Sequence, residues 1–135
     1  MTLVVPNVKE IEVLTNLLTS AHTLRLYSNN YTPVATSVSG DFTEVVGGGY
    51  AAKALKFANW GIVGGAPTVA TYNATQAWDY TGPTNAPGTV FGYYITRNSD
   101  GTLIWAERFP AGSLPFSPVA GSVTRVLPRI TCEST

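Results

Sequence analysis

The sequence predicts a mostly β fold, a β-sandwich of jelly-roll type with one short N-terminal helix. Short runs rich in β-branched and aromatic residues recur along the chain with glycine- and proline-rich turns between them, a spacing typical of sandwiches and barrels. Apolar residues follow helical spacing in one stretch, close to the N-terminus. The length of 135 residues favours a single domain. We place this β-sandwich domain at residues 7–135, after an N-terminal arm at residues 1–6.

The N-terminal arm is apolar and β-prone, and it ends at Pro6. An extended segment of this kind cannot satisfy its own backbone hydrogen-bonding groups. We therefore expect Leu3, Val4 and Val5 to pack on a neighbouring subunit by adding a strand to an open sheet edge. The alternative interpretation is a frayed end that makes no contact.

The helix is predicted at residues 7–18. Asn7 suits the N-cap position and Glu10 follows three residues later, as in a capping box. One apolar stripe has helical spacing and consists of Val8, Ile11, Leu14, Leu17 and Leu18. We expect this stripe to cover one end or face of the β core, and contact with another subunit is the alternative.

The rest of the chain alternates between strand patterns and loop patterns. Strands are predicted at residues 23–28, 41–46, 50–57, 69–80 and 122–132, in addition to the hairpin described next. Loops are predicted where glycine, proline and asparagine concentrate, at residues 29–38, 59–67, 81–88 and 110–121.

Residues 89–109 carry the strongest local signal, a β-hairpin. The turn contains Asp100 and Gly101, and Asp-Gly is one of the best short-range hairpin signals. Both faces of each predicted arm carry apolar side chains. Because strands buried on both faces show this pattern, we expect the hairpin to lie centrally in its sheet and away from an exposed rim.

The composition favours a protein whose surface is covered by neighbours. The formal net charge is zero and 12% of the residues are charged, and so little charge is poor at keeping a protein dispersed. Lysine and arginine are scattered singly, so no nucleic-acid partner is expected. Neither a secretory signal nor a membrane-spanning run is predicted. We expect a protein made in the cytosol that stays soluble or assembles, with no membrane partner.

Residue types that carry catalysis are scarce. His22 is the only histidine and Cys132 the only cysteine, so neither a zinc site nor a catalytic triad is expected. We expect no enzyme activity, no metal, no cofactor and no intrachain disulfide. Glu107, which shares a predicted strand face with Trp105, is the acid best placed for glycosidase chemistry. Pairing of Glu107 with an arginine is the preferred interpretation.

Aromatic residues support an alternative function. Tyr31, Trp60 and Trp78 lie in or near predicted loops and strands, where exposed rings could form a stacking platform for a sugar. The chain would then be a carbohydrate-binding module. Packing in the core or at its rim is the other interpretation of these rings.

The order of several motifs resembles a group of small structural proteins of tailed bacteriophages. The helix with EVLTNLL is followed by LRLYSNNYTPV at residues 24–34 and GDFTEVVGGGYAAKAL at residues 40–55. VFGYYITRNSDGTLIWAERFP at residues 90–110 and VLPRITC at residues 126–132 complete the order. The resemblance covers most of the chain, apart from residues 59–70 and the proline-rich loops.

The resemblance implies a virion structural protein without enzyme activity, and a capsid decoration (cement) protein as its leading role. Such a protein binds and stabilises the head shell, which makes the major capsid protein and further copies of this chain its partners. A trimer is expected, because decoration proteins often occupy threefold positions. The implied location is the virion, after synthesis in the host cytoplasm.

Three alternatives remain beside capsid decoration. The first is another virion role, as a tail, fibre or head-completion component. The second is a carbohydrate-binding module of a phage adhesin, and the third is a small hydrolase. Under the decoration role, the capsid is a second candidate surface for Leu3, Val4 and Val5.

Overall fold

The computed structural model describes residues 6–114 and 116–132. Within them the chain forms one α-helix, nine strands and three single turns of 3₁₀ helix. The helix α1 spans Asn7–Leu18, and the strands are β1 His22–Tyr27, β2 Lys53–Leu55, β3 Trp60–Val63, β4 Thr68–Tyr72, β5 Gln76–Asp79, β6 Gly92–Arg97, β7 Leu103–Arg108, β8 Val123–Val126 and β9 Arg129–Cys132. The prediction of a mostly β fold with one short N-terminal helix is confirmed.

All the strand pairs are antiparallel and belong to three open sheets. The central sheet has the order β2-β1-β6-β7, a second sheet has the order β3-β4-β9, and β5 pairs with β8 in a third. The chain returns to the central sheet with β6 and β7 after β3, β4 and β5 have entered the other two sheets. Within the described residues none of the three sheets closes on itself, so each keeps free edges.

Helix α1 packs on β3 and β4 through part of its predicted stripe. Leu14 and Leu18 are buried, whereas Val8 is 68% exposed. The predicted capping box was wrong, because Pro6 takes the N-cap position with an extended ψ of 147° and no side-chain cap bond forms there. The side chain of Glu10 is instead buried against β4, where its Oε2 accepts a hydrogen bond from Thr68 Oγ1 at 2.8 Å.

The main core takes buried apolar residues from the helix and from all three sheets. Its members include Leu14, Leu18, Leu24, Leu26, Trp60, Ala70, Trp78, Ile95, Val126 and Ile130. This core covers one face of the central sheet. The other face carries the aromatic cluster of Tyr27, Phe42 and Tyr94, in which Phe42 and Tyr94 stack with ring centroids 4.8 Å apart. Residues 28–44, which contain Phe42, cover this second face.

The predicted hairpin is confirmed as β6 and β7, but its position in the sheet was only half right. Strand β6 is central and buried on both faces, whereas β7 is an edge strand with half-exposed side chains. Both faces of β7 are apolar because one contributes to the main core and the other to the aromatic cluster. Apolar residues on both faces of a strand therefore do not show that the strand lies in the middle of a sheet.

Several other boundaries differ from the predictions. The predicted loop at 59–67 contains β3, and the predicted strand at 50–57 shrinks to β2. The predicted strand at 41–46 is reduced to one isolated bridge between Tyr27 and Glu44. Residues 69–80 and 122–132 each divide into two strands of different sheets. A period-2 pattern continues unchanged when a chain leaves one sheet and enters the next, so it cannot reveal these breaks.

Candidate functional site

Strand β7 forms one free edge of the central sheet. Strand β7 pairs with β6 on one side only. The amide of Phe109 donates to the carbonyl of Phe91 at 2.9 Å, and the amide of Arg97 donates to the carbonyl of Thr102 at 2.9 Å. These bonds fix the alternation of an antiparallel ladder. With the β-bulge near Ile95, the alternation directs the backbone groups of three β7 residues away from β6: Leu103, Ala106 and Arg108.

A groove runs beside this edge, and we call it the edge groove. Its larger part, about 410 Å³, lies between residues 103–106 of β7 and a wall formed by Pro33, Val34, Ala35 and Ser37. A smaller part of about 310 Å³ continues past Val38 to the hairpin turn at residues 100–102. Ser37 and Leu103 line both parts, which makes the groove continuous along most of the strand.

The wall of the edge groove is held by a set of hydrogen bonds. The hydroxyls of Tyr31 and Ser37 are 2.7 Å apart, and Ser37 Oγ accepts a bond from the Val34 amide at 2.8 Å. The carbonyl of Tyr31 accepts from Tyr27 Oη at 3.0 Å and from Arg108 Nη1 at 3.1 Å. Burial raises the pKa of the Tyr27 phenol to about 12, so this donor keeps its proton at neutral pH. The wall is therefore tied to both β1 and β7.

Charges lie at the two ends of the groove and not along it. Residues 103–106 are Leu-Ile-Trp-Ala, with Glu107 and Arg108 beyond one end. At the other end Arg97 Nε lies 3.8 Å from Asp100 Oδ1, and the Thr102 amide donates to the same carboxylate at 3.0 Å. This backbone bond is the largest of the influences that lower the pKa of Asp100. An added segment would thus meet an uncharged strand.

A second cleft, of about 480 Å³, lies between β7 and β9. It is lined by Trp105, Glu107, Leu127, Arg129 and Thr131. Tyr93 Oη donates to Glu107 Oε2 at 2.8 Å. None of the salt bridges among the described residues includes Glu107, so the expected pairing of Glu107 with an arginine was wrong. Glu107 is the only carboxylate in the lining, whereas a glycosidase needs two acids across its cleft. The cleft does not supply that second acid.

A half-buried polar cluster fixes the far end of residues 28–44. Arg25 Nη1 lies 2.8 Å from Glu44 Oε1, and Tyr50 Oη donates to Glu44 Oε2 at 2.8 Å. The same phenol oxygen accepts a bond from the Leu26 amide at 3.1 Å. Burial is the main cause of the raised pKa of Tyr50. Each group in the cluster has a partner inside the protein, so the arrangement is structural.

The structure separates the three rings that sequence analysis grouped as a sugar platform. Trp60 is 9% exposed and Trp78 is 3% exposed, and both belong to the main core. Tyr31 is half-buried on the opposite face of the central sheet, where it packs edge-on against Phe42 with centroids 5.2 Å apart. The three rings share no surface, and the stacking interpretation loses its geometric basis.

The predicted interface residues Leu3, Val4 and Val5 lie outside the described residues. Sequence reasoning did not predict the surface that could receive such an arm, namely the edge groove and its wall. One signal was available, because the uncharged run at residues 103–106 lacks the lysine or proline that usually protects an edge. The arms of the hairpin look alike in sequence, however, and only the structure shows which one is the edge.

The remaining titratable groups of the described residues do not cluster into a metal site. His22 is buried at the start of β1, and burial lowers its pKa, with the nearby Arg97 guanidinium as a smaller cause. Among residues 6–114 and 116–132 there is no group of three or more His, Cys, Asp or Glu side chains that could hold a metal. The same residues contain no helix long and apolar enough to cross a membrane.

Comparison with known proteins adds no relative. Protein-family models, curated proteins and solved structures were compared with the chain, and none of them matches it.

Proposed function

We propose that this chain is a structural protein of a tailed-bacteriophage virion and that it decorates the capsid. In this role it binds the major capsid protein and further copies of itself, and it performs no catalysis. The order of motifs from EVLTNLL to VLPRITC supports the choice of a phage particle. The surface supports the choice of a structural role.

The observation that carries the proposal is an apolar, weakly charged surface. Only 12% of the residues are charged, and many large aliphatic side chains are more than 45% exposed. These residues are Val8, Val13, Val34, Val38, Val46, Val63, Val119 and Leu127. Apolar groups left in water contribute about 25 cal/mol less stability per Å² than buried ones. Neighbours that cover these side chains in an assembly would take them out of water.

The proposal extends to the fold and to symmetry. Three open antiparallel sheets around one core are compatible with a sandwich of jelly-roll type, a fold used for capsid proteins. Closed cyclic symmetry is the default for assemblies of one chain. A trimer at threefold positions of the shell is the arrangement that follows for a decoration protein.

A density map of the intact particle at low resolution tests the proposal. We expect density of the size of this chain on the outer capsid surface, repeated at symmetric positions and labelled by an antibody against the protein. Density in the tail, fibre or head-to-tail connection would replace the decoration role by that alternative. Absence of the protein from every part of the particle would overturn the virion role.

A further inference from the structure

We propose that the edge groove accepts residues 2–5 of a second copy of this chain, which pair with β7 as an added strand. The proposal rests on the proposed function for its choice of a second copy as the occupant. In this pairing the apolar arm of one copy is the added strand, and the open edge of β7 in the other copy receives it. The backbone of β7 and the composition of residues 2–5 support the pairing.

The backbone of β7 offers the hydrogen bonds that an added strand needs. The amide and carbonyl groups of Leu103, Ala106 and Arg108 point away from β6, as the ladder alternation shows. A four-residue segment beside residues 103–106 would give hydrogen-bond partners to the outward groups of Leu103 and Ala106. Strand addition to a sheet edge uses these main-chain bonds for affinity and the side-chain pockets for specificity.

The side chains of the two partners match in character and length. The groove presents uncharged residues from β7 and the exposed aliphatic side chains of Val34 and Val38 from its wall. The donor, Thr-Leu-Val-Val at residues 2–5, is also uncharged, and Val and Thr favour extended structure. The four residues of the arm equal in number the four residues of the uncharged run at 103–106. Neither residues 2–5 nor the run at 103–106 brings a charge that would have to be desolvated.

The path of the chain favours a second copy over the same molecule. Pro6 lies at the start of α1, which packs on β3 and β4 on the main-core side of the central sheet. The wall of the groove lies on the opposite face, where Tyr31 joins the aromatic cluster. Four extended residues reach at most about 14 Å. An arm that served its own groove would have to pass around the edge of the central sheet within that reach.

The proposed contact is heterologous, since the arm of one copy meets the edge of the next. Such contacts form rings when the rotation closes and open chains when it does not. A closed ring of three copies agrees with the proposed threefold position. Covering the uncharged edge would also remove an unprotected site for aggregation.

The first test compares matched valine variants of the complete chain in sedimentation velocity experiments. Val34→Asp puts a charge on the groove wall, and Val119→Asp puts the same charge elsewhere, at positions that are 59% and 58% exposed. We expect Val34→Asp and deletion of residues 2–5 each to weaken self-association at least tenfold, with unchanged circular dichroism spectra. Val119→Asp should associate like the parent. Equal association of all four proteins, or a parent that is monomeric at every concentration, would overturn the proposal.

The second test uses disulfide cross-linking in a Cys132→Ser background, which removes the native thiol. One protein carries Val4→Cys and another carries Ala106→Cys. Oxidation of the mixture should give a cross-linked dimer that neither protein forms alone. Cross-linking found only within a single chain carrying both cysteines would show that the arm serves its own sheet and would reject the second copy. Failure here leaves the virion role testable, because presence of the protein in purified particles is measured independently.

Discussion

The carboxylate of Glu10 in the helix and the hydroxyl of Thr68 in β4 are joined by a buried hydrogen bond of 2.8 Å. Glu10 is 2% exposed and Thr68 is fully buried, although the two residues are 58 positions apart in the chain. This bond ties the first turn of α1 to the second sheet.

Replacing Glu10 should therefore weaken the fold. We expect Glu10→Ala to reduce the free energy of unfolding by about 1–3 kcal/mol. The buried Thr68 hydroxyl would lose its acceptor at 2.8 Å and keep only the Gly65 carbonyl at 3.3 Å. Glu10→Gln keeps an acceptor oxygen and should cost less. Urea denaturation of both variants measures the difference. An alanine variant as stable as the parent would show that the bond contributes nothing.

The phenol of Tyr50 should contribute more to the stability of the fold than the phenol of Tyr80. Tyr50→Phe removes the partner of the Leu26 amide and one partner of Glu44, so we expect a loss of about 1–3 kcal/mol in unfolding free energy. Tyr80→Phe is the control, because its phenol bonds only the rotatable hydroxyl of Thr124, at 2.9 Å. Thermal melts compare the two variants. A larger loss in Tyr80→Phe would contradict this ranking.

Gly92 should be intolerant of any side chain. A Cβ at this position would collide with the Glu107 carbonyl and lie 2.7 Å from the Tyr27 ring. Because these neighbours belong to paired strands and to the aromatic cluster, neither can move cheaply. We expect Gly92→Ala to destabilise the protein by about 1–3 kcal/mol or more. Gly112→Ala, where a Cβ would meet nothing within 4 Å, should leave the melting temperature nearly unchanged.

Acid should destabilise the protein through its single histidine. Burial lowers the pKa of His22 in the folded state, so the unfolded chain binds the proton first as the pH falls. The stability that neutral His22 contributes is complete above the unfolded pKa of about 6.5 and is lost as the pH falls through the folded pKa. We expect His22→Phe to show a flatter stability profile than the parent between about pH 6.5 and pH 5. Parallel profiles for the two proteins would contradict this assignment.

Local signals in the sequence predicted the helix and the hairpin correctly. The bounds of α1 follow from the apolar stripe ending at Leu18. The hairpin follows from Asp100-Gly101, since Gly101 has a positive φ of 73° that favours glycine. Both signals come from residues that are close together in the sequence, which is why sequence reasoning could find them.

The rest depends on contacts between distant residues. Trp60–Val63 looked like part of a glycine-rich loop, yet it is a strand because β4 pairs with it. The edge position of β7 and the wall at residues 33–38 are likewise set by long-range pairing and by the bonds of Tyr31. Trp60 and Trp78 read as candidate platform rings because sequence alone cannot distinguish a buried indole from an exposed one.

Quantitative mass spectrometry of gradient-purified phage particles tests the central claim most directly. The measurement compares peptides of this chain with those of the major capsid protein, before and after a high-salt wash that removes adsorbed lysate proteins. A structural protein of the virion should remain after the wash at many copies per particle. Detection of the chain in infected lysate but not in the washed particles would contradict the account.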